Sequence, residues 1–387
     1  MKTVTTTEAL AAFCKEAATR PYVTVDTEFL RERTYYAKLC LLQLAIPGPD
    51  GPEGAAVLVD PLAEGLSLDP LYELFRNTDV VKVFHAARQD LEIFYTGGKV
   101  FPEPLFDTQV AAMVCGFGEQ VGYETLVRKI AKANLDKTSR FTDWSRRPLS
   151  DAQKTYALAD VTHLRVIYEH LAAELDRTGR AKWLREELGV LTDPETYIVR
   201  PSEAWRRIKT RTNSGKFLAV VRELARFREG YAQSRNIPRT RVFKDDALLE
   251  LASTWPQNIE ELARSRLLLR EARRGEIADG IIAAIRVAQE TAPEDYPKVP
   301  GTNSRLQVNP ALADLLRVLL KAKSEETGVA QKLIATSSDL DLIAAGERDV
   351  QALRGWRREV FGEDALRLCR GEVALTARGS NVEVVGL

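Results

Sequence analysis

The chain is poor in the residues that build zinc and redox centres. Its 387 residues contain four cysteines, Cys14, Cys40, Cys115 and Cys369, scattered singly, so neither a Cys-x-x-Cys zinc motif nor a disulfide framework is present. They are expected to be reduced and mostly buried, acting as small apolar side chains. Histidine numbers three, which with so little cysteine leaves no soft-ligand set for a transition metal. No stretch approaches the ~18 apolar residues of a membrane span, and residues 1–10 lack the apolar core of a signal peptide; a cytoplasmic location is expected. Net charge is absent too. The 55 basic and 55 acidic side chains balance, which taken alone argues against a phosphate-rich partner.

The balance conceals an asymmetry. Residues 1–190 carry a net −4, from 23 basic and 27 acidic side chains, whereas residues 205–290 carry +7, from 18 and 11. An acidic first half suits phosphate chemistry only where some of its carboxylates hold cations. The composition, 45% hydrophobic and 28% charged, is that of a globular chain, long enough for about two or three domains.

Short aliphatic runs at 22–28, 39–46, 55–60 and 80–84 read as strands, and 67–76 and 89–95 as helices. That alternation predicts a sheet covered by helices. From Ser150 onward the periodicity is helical, over 151–176, 202–210, 216–236, 245–253 and 259–268, with almost no strand signal. Proline-bearing breaks at 192–201 and 291–301 divide the chain into domains at 1–195, 202–292 and 302–387. The last two resemble distant copies of each other. An apolar run at Leu218 to Arg222, a loop at Pro238 and a helix start at Asp245 and Asp246 have counterparts at Leu315 to Leu319, Gly328 and Asp339.

Three local patterns carry the chemistry. Asp26-Thr27-Glu28 closes an apolar strand, and a spacing of two puts both carboxylates on one face. Such neighbours repel unless a cation lies between them. Residues 80–91 read as a buried strand, a turn at His85 and a helix with Asp90 in its first turn, where the helix dipole favours an acid. Ser150 and Gln153 form a capping box, which fixes the faces of the following helix and sets Tyr156 and Asp160, four apart, on one of them. Each pattern alone is common in proteins of any function. Gly116 to Gly122 misses the spacing of a dinucleotide-binding loop, and His163 is expected to be a packed or solvent-facing histidine.

Taken in order, the three patterns resemble the DEDD superfamily of 3′→5′ exonucleases, in the subclass with Tyr in the third motif. Asp26 to Tyr36, Leu41 to Ala45 and Asp143 to Leu149 narrow the resemblance to the ribonuclease D family, over most of the first 190 residues. The repeated helical segments are similar to the HRDC domains that follow the nuclease there. The resemblance implies an α/β ribonuclease H-like exonuclease domain, a mixed sheet flanked by helices, followed by two small all-α HRDC-like domains. It implies two Mg²⁺ or Mn²⁺ ions held by oxygen donors: Asp26, Glu28 and Asp160 on the first, Asp26 bridging to the second, and Asp90 supporting that one through water. Tyr156 would orient the attacking water. Thr27, Gln43, His85 and Gln89, beside the acids, are expected to contact nucleic acid, as are Arg235, Arg239 and Arg241 in the basic segment, with Lys209, Arg211 and Lys216. The expected activity is hydrolysis of RNA from its 3′ end to 5′-mononucleotides, in tRNA precursors and other structured RNAs, by a monomer. A DNA exonuclease and a non-catalytic RNA-binding scaffold are the alternatives.

Overall fold

The computed structural model describes residues 3–49, 51–136, 138–139, 142–298 and 307–387. Pro300 and Gly301 of the second expected linker, and the expected start of the last module at 302, lie outside the described residues. The chain begins with β1 (Thr3–Val4), α1 (Thr7–Ala17), β2 (Tyr22–Leu30), β3 (Lys38–Ala45), β4 (Ala56–Val59), α2 (Asp69–Arg76), β5 (Val81–Phe84), α3 (Arg88–Gly98), β6 (Leu105–Asp107) and α4 (Thr108–Val114). The six strands form one mixed sheet in the order β1-β4-β3-β2-β5-β6. β1 pairs with β4, β2 with β5 and β5 with β6 in parallel, and β3 with β4 antiparallel. Tyr22, Val23, Thr24 and Val25 are all buried, as expected of a central strand covered on both faces.

Beyond the short α5 (Tyr123–Leu126) comes α6 (Asp151–Thr178), 28 residues long. Both halves of its capping box are made, and it ends at Gly179 with φ 68°, a left-handed position that glycine takes without a Cβ penalty. Ala157, Val161, Leu164, Ile167, Leu171 and Leu175 form its buried stripe. Below the stripe, the Thr24 hydroxyl lies 2.8 Å from the Val161 carbonyl and 3.2 Å from that of Ala45. This buried side chain ties α6 to the sheet. α7 (Ala181–Gly189) follows.

The described residues fall into two compact units, those within 3–28, 40–193 and 307–387 in one and those within 29–39 and 194–298 in the other. In the second, α8 (Gly215–Ser234) packs against the 3₁₀ segment Pro201–Arg207 and the helix Gly275–Gln289. Gly280 meets the Phe227 ring so closely that a Cβ would fall 2.1 Å from it. In the first unit, a continuous apolar core runs from Tyr22 and Val83 through Leu316, Trp356 and Val373. Trp183 and Trp356 stack at 4.8 Å and 14°. Glu187 accepts from Trp356 Nε1 at 3.0 Å and from Arg357 at 2.6 Å.

Several elements depart from the sequence expectation. β1, α1 and β6 are additional, the expected helix at 202–210 is a 3₁₀ turn series, and that at 259–268 is helical only over Ile259–Leu262. The C-terminus is not helical to its end. Val373–Arg378 and Asn381–Gly386 form an antiparallel hairpin closed by Gly379 and Ser380, with Gly379 at φ 62°, the backbone a two-residue turn requires. The four cysteines are free; Cys14 and Cys40 are buried, Cys115 and Cys369 partly so. Among the described residues no helix is long and apolar enough to cross a membrane.

Candidate active site

β2 delivers Asp26 and Glu28 on the face that also carries Thr24. Thr24 holds α6 by the Val161 carbonyl, so Asp160, the preceding residue, comes to the same place. One carboxylate oxygen from each of Asp26, Glu28 and Asp160 lies within 4.8 Å of the other two, all three being half-buried. Among the described residues no other group of three His, Cys, Asp or Glu side chains converges in this way. Three oxygen donors, with no nitrogen or sulfur, suit a hard divalent cation.

Asp90 approaches from the first turn of α3, the helix that follows β5, the neighbour of β2 in the sheet. Its carboxylate is buried and accepts from the Thr27 hydroxyl. The turn that delivers it is held by a residue outside the three sequence motifs. Asp107, at the end of β6, accepts from the backbone N–H groups of Ala86 at 3.0 Å and Ala87 at 2.8 Å, and from Gln109 at 2.8 Å. Ala86 sits at φ 57°, a strained conformation for a residue with a Cβ, and the Asp107 bonds fix it. Thr108 lies with its hydroxyl 3.0 Å from both the Phe84 carbonyl and His85 Nδ1. Asp107 is also the N-cap of α4, a local signal; its reach across to the Asp90 turn has none.

Burial makes two of the acids, Asp26 and Asp90, reluctant to ionise. It pushes Asp26 up to about 7, with the Thr27 backbone N–H pulling the other way. Asp90 is raised well above the usual carboxylate range, first by burial and then by the Asp26 charge. Burial also lowers the His85 pKa, against the nearby Asp107 carboxylate, which favours the neutral imidazole. A bound cation would reverse the cost of ionising the acids.

Asp26, His85, Tyr123, Tyr156 and Asp160 line a cleft of about 270 Å³. Tyr123, another residue without a signal in the sequence, donates to the Asp160 carbonyl at 2.6 Å and lies 3.1 Å from that of Ala159. Tyr156 has its ring 6.1 Å from that of Trp144, inclined at 32°. The five motif residues thus occupy one region: three acids converge, Asp90 joins them through Thr27, and Tyr156 opens onto the cleft.

The expected nucleic-acid contacts are dispersed. Thr27 is buried and engaged with Asp90, His85 lines the cleft, and Gln89 is exposed on α3. Gln43 is fully buried in β3, its two amide atoms without a partner among the described residues; as placed it presents no surface to a ligand. In the second unit Arg235 donates from Nη2 to both carboxylate oxygens of Glu276, at 2.6 and 2.9 Å, and Arg239 lies 3.6 Å from the buried Glu229. Arg241 is exposed.

Residues 1–176 match the family described as 3′-5′ exonuclease, and residues 217–285 match the HRDC domain. The chain is 66% identical over 383 residues to ribonuclease D of Jannaschia sp. (strain CCS1), covering 99% of each, and 49% identical over 385 residues to ribonuclease D of Nitrobacter hamburgensis, covering 99% of this chain and 98% of that one. Among solved structures, Escherichia coli RNase D, an exoribonuclease involved in structured RNA processing, is similar with a TM-score of 0.81 at 28% identity, over 96% of this chain and 98% of that one.

Proposed function

The chain belongs to the ribonuclease D family of metal-dependent 3′→5′ exoribonucleases, with a ribonuclease H-like exonuclease fold and an HRDC domain behind it, and from this we propose that it trims the 3′ ends of structured RNAs, tRNA precursors among them, by two-metal-ion hydrolysis. The convergence of Asp26, Glu28 and Asp160 carries the reading. Asp26, Glu28 and Asp160 would hold one Mg²⁺ or Mn²⁺, Asp26 would be shared with a second, and Asp90 would support that one through water. When bound, such ions supply Lewis acidity and lower the pKa of water.

The protein's own groups do the rest. Tyr156 orients the water for in-line attack at phosphorus, a role that needs no proton transfer to the phenol. The water oxygen bonds to phosphorus as the P–O3′ bond breaks, its proton passes by way of solvent to the departing O3′, and a 5′-mononucleotide leaves a chain that ends in a 3′-hydroxyl. Arg239, Arg241 and Arg235, with Lys209, Arg211 and Lys216, would grip the body of the RNA. Support for an RNA substrate comes from the processing role of the E. coli relative. A cytoplasmic monomer completes the reading. The test is a 5′-labelled single-stranded RNA, with its DNA counterpart, incubated with Mg²⁺. Stepwise shortening of RNA, lost in Asp26→Ala while RNA binding persists, is expected. Equal or faster shortening of the DNA would overturn the substrate assignment.

A further inference from the structure

The segment that leads into α6 is tied down far more heavily than a connection between elements requires. Thr142 accepts from Gln153 of the capping box at 3.0 Å. Arg147 then makes five hydrogen bonds. Two, both 2.6 Å, go to the Asp60 carboxylate just beyond β4; one of 2.6 Å goes to the Cys40 carbonyl on β3; and two, of 2.8 and 2.9 Å, go back to the carbonyls of Trp144 and Arg146. The pair is largely enclosed, with side-chain exposures of 27% for Arg147 and 12% for Asp60. Burial alone would push Asp60 up, yet the Arg147 fork holds it below the usual carboxylate range. Only a planar guanidinium can serve a carboxylate and three carbonyls together; a lysine ammonium has neither the fork nor the donors.

Trp144 is the other end of the clamp. It is 2% exposed, and its indole N–H is buried without a hydrogen-bond partner among the described residues. A phenylalanine would remove that unmet donor but leave a smaller ring in a closed space, so the two effects on stability oppose each other. What the larger ring does is pack against Tyr156, at a separation typical of an aromatic pair. The chain of contact therefore runs from Asp60, just beyond β4, and Cys40 on β3 through Arg147 and Trp144 to Tyr156.

We propose that Arg147 and Trp144 are positioning residues, which fix the Tyr156 phenol against the sheet that carries Asp26 and Glu28. The inference rests on the nuclease reading above. Fixing matters because a displacement of about 1 Å at a group that orients a reactant can cost on the order of 100-fold in rate.

The test is a pair of double-mutant cycles on the full-length chain, with kcat and KM measured on single-stranded RNA at saturating Mg²⁺. Arg147→Lys and Trp144→Phe should each lower kcat by about 10- to 100-fold at nearly unchanged KM, and neither should lower it further in a Tyr156→Phe background. In Trp144→Phe the loss should persist at temperatures well below that variant's own melting transition, a combination that a purely structural role does not produce. Wild-type kcat in both variants, a change confined to KM, or losses that multiply with that of Tyr156→Phe would overturn the proposal. If Arg147→Lys does not fold, the Trp144→Phe cycle decides it alone. Asp26→Ala assayed alongside separates the two claims: RNA shortening that survives in it defeats the nuclease reading itself, whereas its loss together with multiplying effects defeats only the clamp.

Discussion

Asp26 shows what a single side chain costs and gains in this site. Its carboxyl ionises at about 7 in the fold, against 3.8 as its ordinary value. The folded protein therefore holds a proton that the unfolded chain has released, and stability contributed by the protonated form is lost as the pH rises from about 4 to about 7. Asp26→Asn cannot ionise. In EDTA, urea denaturation should find this variant more stable than the parent at about pH 8, with the gap closing toward about pH 4; a tenfold change in proton affinity between the folded and unfolded chains is worth roughly 1.4 kcal/mol. A gap that does not vary with pH would show that Asp26 ionises normally. Mg²⁺ should reverse the order at about pH 8, because it binds the ionised parent and stabilises it by mass action.

At the scale of elements, α6 is the part that brings the third motif to the first. Its start depends on the cap made by Ser150 and Gln153. Ser150→Ala should cost about 0.5–2 kcal/mol in denaturation free energy, and an unchanged midpoint would mean that the clamp at Arg147 fixes the helix start unaided. This helix was legible because its capping box, its apolar stripe and its Tyr156 to Asp160 spacing agree with one another. The strands around Asp26 and Phe84 were legible for the same reason, being runs of β-branched residues ending at turn formers. What the sequence did not disclose is side-chain reach across the fold. Nothing local marks Thr27 as the partner of Asp90, Asp107 as the brace of the Ala86 turn, or Tyr123 as a hold on the Asp160 carbonyl. The C-terminal hairpin is a different case, since Gly379 and Ser380 stand between two alternating runs and give a turn signal that helical periodicity upstream obscured.

At the scale of the molecule, the core of the first unit is shared between the α/β sheet and the C-terminal residues. Trp356 is fully buried there, stacked on Trp183 and bonded to Glu187. Trp356→Ala should therefore destabilise by about 3–5 kcal/mol and lower the temperature at which RNA hydrolysis is lost, although the residue has no part in the cleft; heat inactivation at the parental temperature would show that the two halves of that core unfold independently. The second unit bears the basic excess, and if its arginines grip phosphate, RNA affinity should fall steeply with salt. Arg239→Ala with Arg241→Ala should flatten that dependence, and an unaltered slope would remove them from the contact. The central claim is that the acids of β2 and α6 hold the cations that hydrolyse RNA. Its most direct test is titration of Mn²⁺ into the parent and into Asp26→Ala, followed by hydrolysis of the same labelled RNA. The parent should bind the ion and shorten RNA from the 3′ end, and the variant should lose both while remaining folded; an Asp26→Ala protein that binds Mn²⁺ and degrades RNA as the parent does would contradict the account.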